Sequence, residues 1–149
     1  MQKRRGISPV IATVIIVAVT IAVAIAVAFW MTGIVGLFTS AEKLEIVALY
    51  ANPTDNGWDI PVTVRNTGTT TTSIDTIFIN GVPQSQCTDS VTLNTTLPLT
   101  LNPGDTKGLT ISITKGGTCG TTAFTAGGSI EVKLHTTGGK EYPKLTVLP

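Results

Sequence analysis

Two hydropathy patterns follow one another along the chain. Across residues 7–41 no side chain is charged, and the polar ones are Ser8, Thr13, Thr20, Thr32, Thr39 and Ser40. At 1.5 Å per residue such a run forms a helix of about 52 Å, longer than the ~20 residues that cross a bilayer core. The middle of the run, residues 17–28, alternates Ala with Val, Ile and Thr. Strict alternation ordinarily signals a strand, but here both sets are apolar and the period-2 signal is empty. The run is far longer than a strand, and a lone strand in lipid would leave its backbone unpaired. A helix is therefore expected. Its Ala positions allow neighbouring helices to approach closely, and its Thr hydroxyls can bond back to the helix backbone. Pro9 suits a first helical turn, with Ser8 before it as the expected cap. Gly33 and Gly36 weaken the far end, and Glu42 and Lys43 close the uncharged zone.

From residue 42 the pattern changes to short alternating runs separated by turn residues. Residues 43–50 read as a strand, and Asn52-Pro53 with Asp55-Asn56-Gly57 as a loop. Trp58, Ile60, Val62 and Val64 alternate with Asp59, Pro61, Thr63 and Arg65, which predicts a half-buried strand with Trp58 facing inward. Pro61 in that strand requires an edge or a bulge. Residues 74–79 form the next run, closed by the turn pair Asn80-Gly81. Val91, Leu93, Leu97, Leu99 and Leu101 share one parity. Leu109, Ile111 and Ile113, then Ile130, Val132 and Leu134, alternate with polar residues, and residues 140–149 make a last strand. About seven strands with no amphipathic helix among them predict a β-sandwich over residues 42–149.

Charge sharpens this division. Lys3, Arg4 and Arg5 supply three of the ten basic side chains, so a chain without residues 1–6 carries seven basic against nine acidic groups. No basic patch remains for nucleic acid. By the positive-inside rule the basic start stays in the cytoplasm and the polar domain lies outside. Cys87 and Cys119 both fall in that domain. Outside the cell a disulfide is expected, closing a loop of about 33 residues and contributing roughly 2–4 kcal/mol; the alternative is two free thiols. Asn94-Thr95-Thr96 is an N-glycosylation sequon, and 27 threonines suit exposed strand positions.

A secretory signal peptide has an apolar stretch of about 7–15 residues, shorter than this one. A plain signal anchor and removal of a leader ahead of the helix both stay open. The segment Lys3-Arg4-Arg5-Gly6-Ile7-Ser8-Pro9-Val10-Ile11-Ala12 resembles the class III signal peptide of archaeal type IV pilins and archaellins. The resemblance is close over about residues 3–38. It implies that a prepilin peptidase recognises Lys3, Arg4, Arg5, Ser8 and Pro9 and cuts between Gly6 and Ile7, leaving residues 7–41 as a retained assembly helix. Ile11 stands where bacterial type IV pilins usually carry glutamate, which favours the archaeal branch.

The fold class so implied is α+β: a leader over 1–6, a long hydrophobic helix over 7–41 and an immunoglobulin-like all-β sandwich head over 42–149. The function implied is the major subunit of an adhesion pilus at the cell surface. Its partners would be copies of itself in a helical homopolymer, the peptidase and assembly machinery of the membrane, and host or environmental surfaces or viruses. The alternatives are an archaellin of the swimming filament and a monomeric membrane-anchored extracellular binding module.

The sequence carries no catalytic grouping, and neither an enzyme nor a cofactor is expected. His135, the sole histidine, falls in a polar slot of a strand. Two cysteines without histidine partners are a poor zinc set. Asp55, Asp59 and Asp105 lie in or near loops without the spacing of a calcium loop. Gly116-Gly117 and Gly127-Gly128 lack a phosphate-binding context. Trp30 is placed near a membrane interface or inside a helix bundle.

Overall fold

The computed structural model describes residues 8–87 and 89–149. Lys3, Arg4, Arg5 and Gly6, for which the resemblance implies a leader, and Ile7 after them lie outside the described residues. The chain divides into two compact units, Met1–Ser40 and Ala41–Pro149: an apolar helix followed by a mostly antiparallel β domain, an α+β arrangement.

Helix α1 runs over Pro9–Thr39. Pro9 occupies its first position, where no donor is needed. Ser8 stands at the N-cap but makes no side-chain cap bond. Its carbonyl instead accepts from the N–H groups of Ile11 (3.0 Å) and Ala12 (3.1 Å), so the proline start, not a hydroxyl, opens the helix.

The second unit contains β1 (Leu44–Leu49), β2 (Asn52–Thr54), β3 (Gly57–Asn66), β4 (Thr72–Ile79), β5 (Val82–Pro83), β6 (Val91–Leu93), β7 (Leu99–Leu101), β8 (Thr106–Thr114), β9 (Thr118–Cys119), β10 (Thr122–Ala123), β11 (Ser129–Thr136) and β12 (Glu141–Val147). One sheet has the order β1-β3-β8-β6, with β2 also on β3. The other has the order β12-β11-β4-β5, with β7 also on β4; β9 and β10 form a separate small hairpin. Alternation along β3, β8, β4 and β11 supplies the core. Ile60, Val62 and Ile111 of the first sheet share one buried cluster with Ile77, Val132 and Leu134 of the second.

Three details differ from the sequence expectation. Residues 52–54 pair with β3 as a strand, Asn52 opposite Asp59, where a loop was expected. The parity run 91–101 is split: β6 pairs with β8 and β7 with β4, so the chain crosses from one sheet to the other between them, through the cis Leu97-Pro98 bond. Pro61 lies in an interior strand, opposite Thr110. It is accommodated because pairing with β1 ends at Val62 and pairing with β2 begins at Asp59. Thr110 turns its own N–H and C=O toward Asn94 on the far side, so by strand alternation Pro61 faces the gap between β1 and β2, where no donor is required.

Sheet edges are managed individually. A bulge in β1 between Ile46 and Ala48 leaves Val47 without a partner in β3, which interrupts a regular edge. Lys140 Nζ donates to Glu42 O at 2.7 Å and Lys144 Nζ to Ile46 O at 2.8 Å, tying the β12 side of the domain to the start of the first sheet. Trp58 is 3% exposed, and its Nε1–H donates to Pro149 O at 2.8 Å.

Burial separates two leucines that are alike in sequence. Leu134 is 0% exposed and Leu145 is 67% exposed. Leu134→Ala is expected to cost about 2–5 kcal/mol, and Leu145→Ala less than about 0.5 kcal/mol. Denaturant titration of the detergent-solubilised chain, followed by Trp58 fluorescence in a Trp30→Phe background, checks both; equal losses would refute the face assignment.

Candidate functional site

The largest unsatisfied surface is the helix. Fifteen large apolar side chains between Val10 and Val35 stand exposed along α1. Residues Pro9–Gly36 are long and apolar enough to cross a membrane, and none of that span is buried. The same length and composition suit a membrane anchor or an N-terminal signal sequence. Phe29 and Trp30, 75% and 68% exposed, place the bulkiest side chains in its second half.

The described polar side chains of α1, and Ser40 just after it, bond back to the helix backbone. Thr13 Oγ1 donates to Val10 O at 2.8 Å, Thr20 Oγ1 to Ile16 O, Thr32 Oγ1 to Ala28 O at 3.1 Å and to Phe29 O at 3.0 Å, and Ser40 Oγ to Gly36 O at 3.3 Å. Each hydroxyl is thereby satisfied without water or a partner chain. Thr20, Ala24, Ala28, Thr32 and Gly36 then recur at every fourth position, a ridge of small residues about 24 Å long. Such a ridge admits another helix at short range. Period-2 alternation of Ala with β-branched residues masks this ridge in the sequence; counting small residues at four-residue spacing reveals it.

On the β domain, Cys87 and Cys119 form a disulfide, with Cα atoms 4.3 Å apart. It joins the 3-10 turn Gln84–Gln86 to β9, and both residues are buried. The two-free-thiols alternative is thereby set aside. Asn94 is exposed just past β6. Its Oδ1 accepts from the N–H of Thr110 at 2.8 Å, and its own N–H donates to Thr110 O at 3.1 Å.

The remaining polar residues singled out in the sequence are occupied locally. His135 Nδ1 and Asp75 Oδ1 are 2.7 Å apart on a half-buried outer face, beside the edge of the Phe78 ring. Asp59 Oδ1 accepts from Ser112 Oγ at 2.7 Å, and Asp105 Oδ2 from the N–H of Asn102 at 3.0 Å. Asp55 is exposed in the turn before β3. Among the described residues no three His, Cys, Asp or Glu side chains come together as a metal-ligand group.

No protein-family model and no curated protein matches the chain.

Removing the disulfide tests its share of the domain's stability. A Cys87→Ser, Cys119→Ser chain is expected to lose about 2–4 kcal/mol, a fall in domain Tm of about 10 °C or more. Calorimetry of the detergent-solubilised protein reads this directly; an unchanged Tm would mean that the bridge adds nothing to the hydrogen bonds around it.

Proposed function

We propose that this chain is the major structural subunit of an archaeal type IV-like adhesion pilus, held together by α1. The observation that carries the reading is a 31-residue helix whose described surface is apolar on every side, joined to a disulfide-bonded β domain with a core of its own. In this reading Lys3, Arg4 and Arg5 hold the N-terminus in the cytoplasm, and a prepilin peptidase cuts between Gly6 and Ile7. The helix serves first as a membrane anchor and then as the filament core. The disulfide supports an oxidising location for the β domain, an argument for export that does not depend on the leader.

The two sheets are read as an immunoglobulin-like sandwich head that coats the filament and meets host or environmental surfaces or viruses. Transfer of α1 from lipid to filament dehydrates little apolar area, so helix–helix packing supplies the preference. The ridge from Thr20 to Gly36 is the surface suited to it. Two such ridges interlocking cross at roughly −40 to −50°. A contact of one face with a different face does not close and builds a helical polymer.

Three measurements test the reading. The intact mass of the protein from its own cells is expected to lack residues 1–6; a chain retaining them overturns the processing step. Electron microscopy of the purified material is expected to show filaments. Dispersed monomers would favour a membrane-anchored binding module, and a rotating filament coupled to a motor would favour an archaellin. Ala24→Leu with Ala28→Leu keeps α1 apolar, so membrane insertion is expected to persist while filament yield falls at least about tenfold, a loss of ~1.4 kcal/mol in packing. Undiminished filaments would exclude the ridge as the contact.

A further inference from the structure

Strand β8 has an open edge. Its even-numbered residues turn their main-chain groups away from β3: the N–H of Thr114 donates to Ser90 O at 2.9 Å, and Thr110 exchanges bonds with Asn94. Strand β6 ends at Leu93. By alternation, Gly108 and Thr106 direct their N–H and C=O groups to the same side, and no described strand pairs with them there. Both are exposed, and nothing lies within 4 Å of the point where a Cβ of Gly108 would stand. An uncovered strand edge is a template for pairing with another chain, and crowded copies of one subunit would meet this hazard constantly.

Asn94 stands at the near end of this gap. The main-chain N–H of Thr110 takes the carboxamide oxygen as its acceptor, which leaves Nδ2 as the unbonded end of the side chain, beside the gap. Nδ2 has no hydrogen-bond partner among the described residues. Thr96, the hydroxyl residue of the sequon, is exposed. Of the six asparagines only Asn94 stands two residues before a Ser or Thr with no proline between; Asn52 has the spacing, but Pro53 intervenes. The nitrogen to be modified is thus left free by a bond that holds the side chain in place.

We propose that Asn94 carries an N-linked glycan whose first sugars lie over the open edge of β8 at Gly108 and Thr106. In the transfer, Nδ2 bonds to the anomeric carbon of a lipid-phosphate-linked oligosaccharide donor. The bond from that carbon to the phosphate oxygen breaks, the lipid phosphate leaves with the electron pair, and one Nδ2 proton passes to a base of the transferring enzyme. The proposal rests on the reading that the β domain is exported.

The test is mass spectrometry of the protein from its own cells. After reduction of the Cys87–Cys119 bridge, trypsin releases residues 66–107 as the peptide containing Asn94, and fragmentation is expected to place a sugar mass on Asn94. Thr96→Ala leaves Asn94 and its bonds to Thr110 in place and is expected to abolish that mass. In hydrogen exchange, the amides of Gly108 and Thr106 are expected to exchange several-fold faster in Thr96→Ala than in the glycosylated chain. Unmodified Asn94 in protein with an intact Cys87–Cys119 bridge overturns this proposal alone. Unmodified Asn94 together with alkylatable cysteines overturns both it and the export reading. A sugar mass that persists in Thr96→Ala assigns the glycan to threonine and refutes Asn94, and equal exchange at Gly108 and Thr106 refutes the shielding of the edge.

Discussion

A helix without a polar face has to be kept out of water, and the rest of the molecule is arranged around that constraint. Fifteen large apolar side chains on α1 are about half exposed or more. At about 1.5 kcal/mol each for full burial, their transfer from water is worth roughly 20 kcal/mol. That exceeds the ~5–15 kcal/mol by which a folded domain is stable. Lipid, or a sheath of similar helices, is the environment in which such a segment persists. In lipid every polar group must be satisfied within the protein. The hydroxyls of Thr13, Thr20, Thr32 and Ser40 meet this condition by bonding to their own helix.

The β domain solves the opposite problem. It has to fold without borrowing the apolar surface of the helix, and its alternating strands give it a core of its own, drawn from both sheets. Its weak points are the strand edges and the gaps in its ladders; several are closed by separate devices, while the β8 edge at Gly108 and Thr106 is left unpaired among the described residues. A bulge at Val47 interrupts β1, lysine amines take up the carbonyls of Glu42 and Ile46, and Pro61 sits where two strands meet end to end. The disulfide joins two connecting segments that no ladder of more than three residues holds.

Much of this was legible in the residue pattern. Trp58 to Val64 alternate in sequence and alternate in burial, because a period of two admits one inward set only. The charge-free run had to hold a helix, by length, and α1 occupies Pro9–Thr39 of it; Ser40 and Ala41, uncharged as well, lie beyond the helix end. What the pattern hid was long-range. Val91 to Leu101 keep one parity, yet half of that run belongs to each sheet, because parity records which side chains face inward and not which sheet they face from. Pro61 looked like an edge residue, since the junction of β1 and β2 beside it depends on register between distant segments. Ser8 has the chemistry of a cap, but Pro9 after it makes a side-chain cap unnecessary. The helix ridge was masked by a second periodicity in the same residues.

The entry point of the β domain has a mechanical meaning. Ala41 is its first residue, and both main-chain groups of Ala41 are held by Thr69: the N–H of Ala41 donates to Thr69 Oγ1 at 2.9 Å, and the N–H of Thr69 to Ala41 O at 2.8 Å. Two residues on, Lys43 O accepts from the N–H groups of both Thr67 and Gly68. Tension carried along the chain from α1 meets these four bonds before it reaches the ladder between β1 and β3. The bonds at Ala41 and then those at Lys43 have to break before that ladder is loaded. In a filament of the kind proposed, the segment from Ala41 to Lys43 would act as a strain-relief collar, taking up a pull from α1 before it reached the first ladder of the domain.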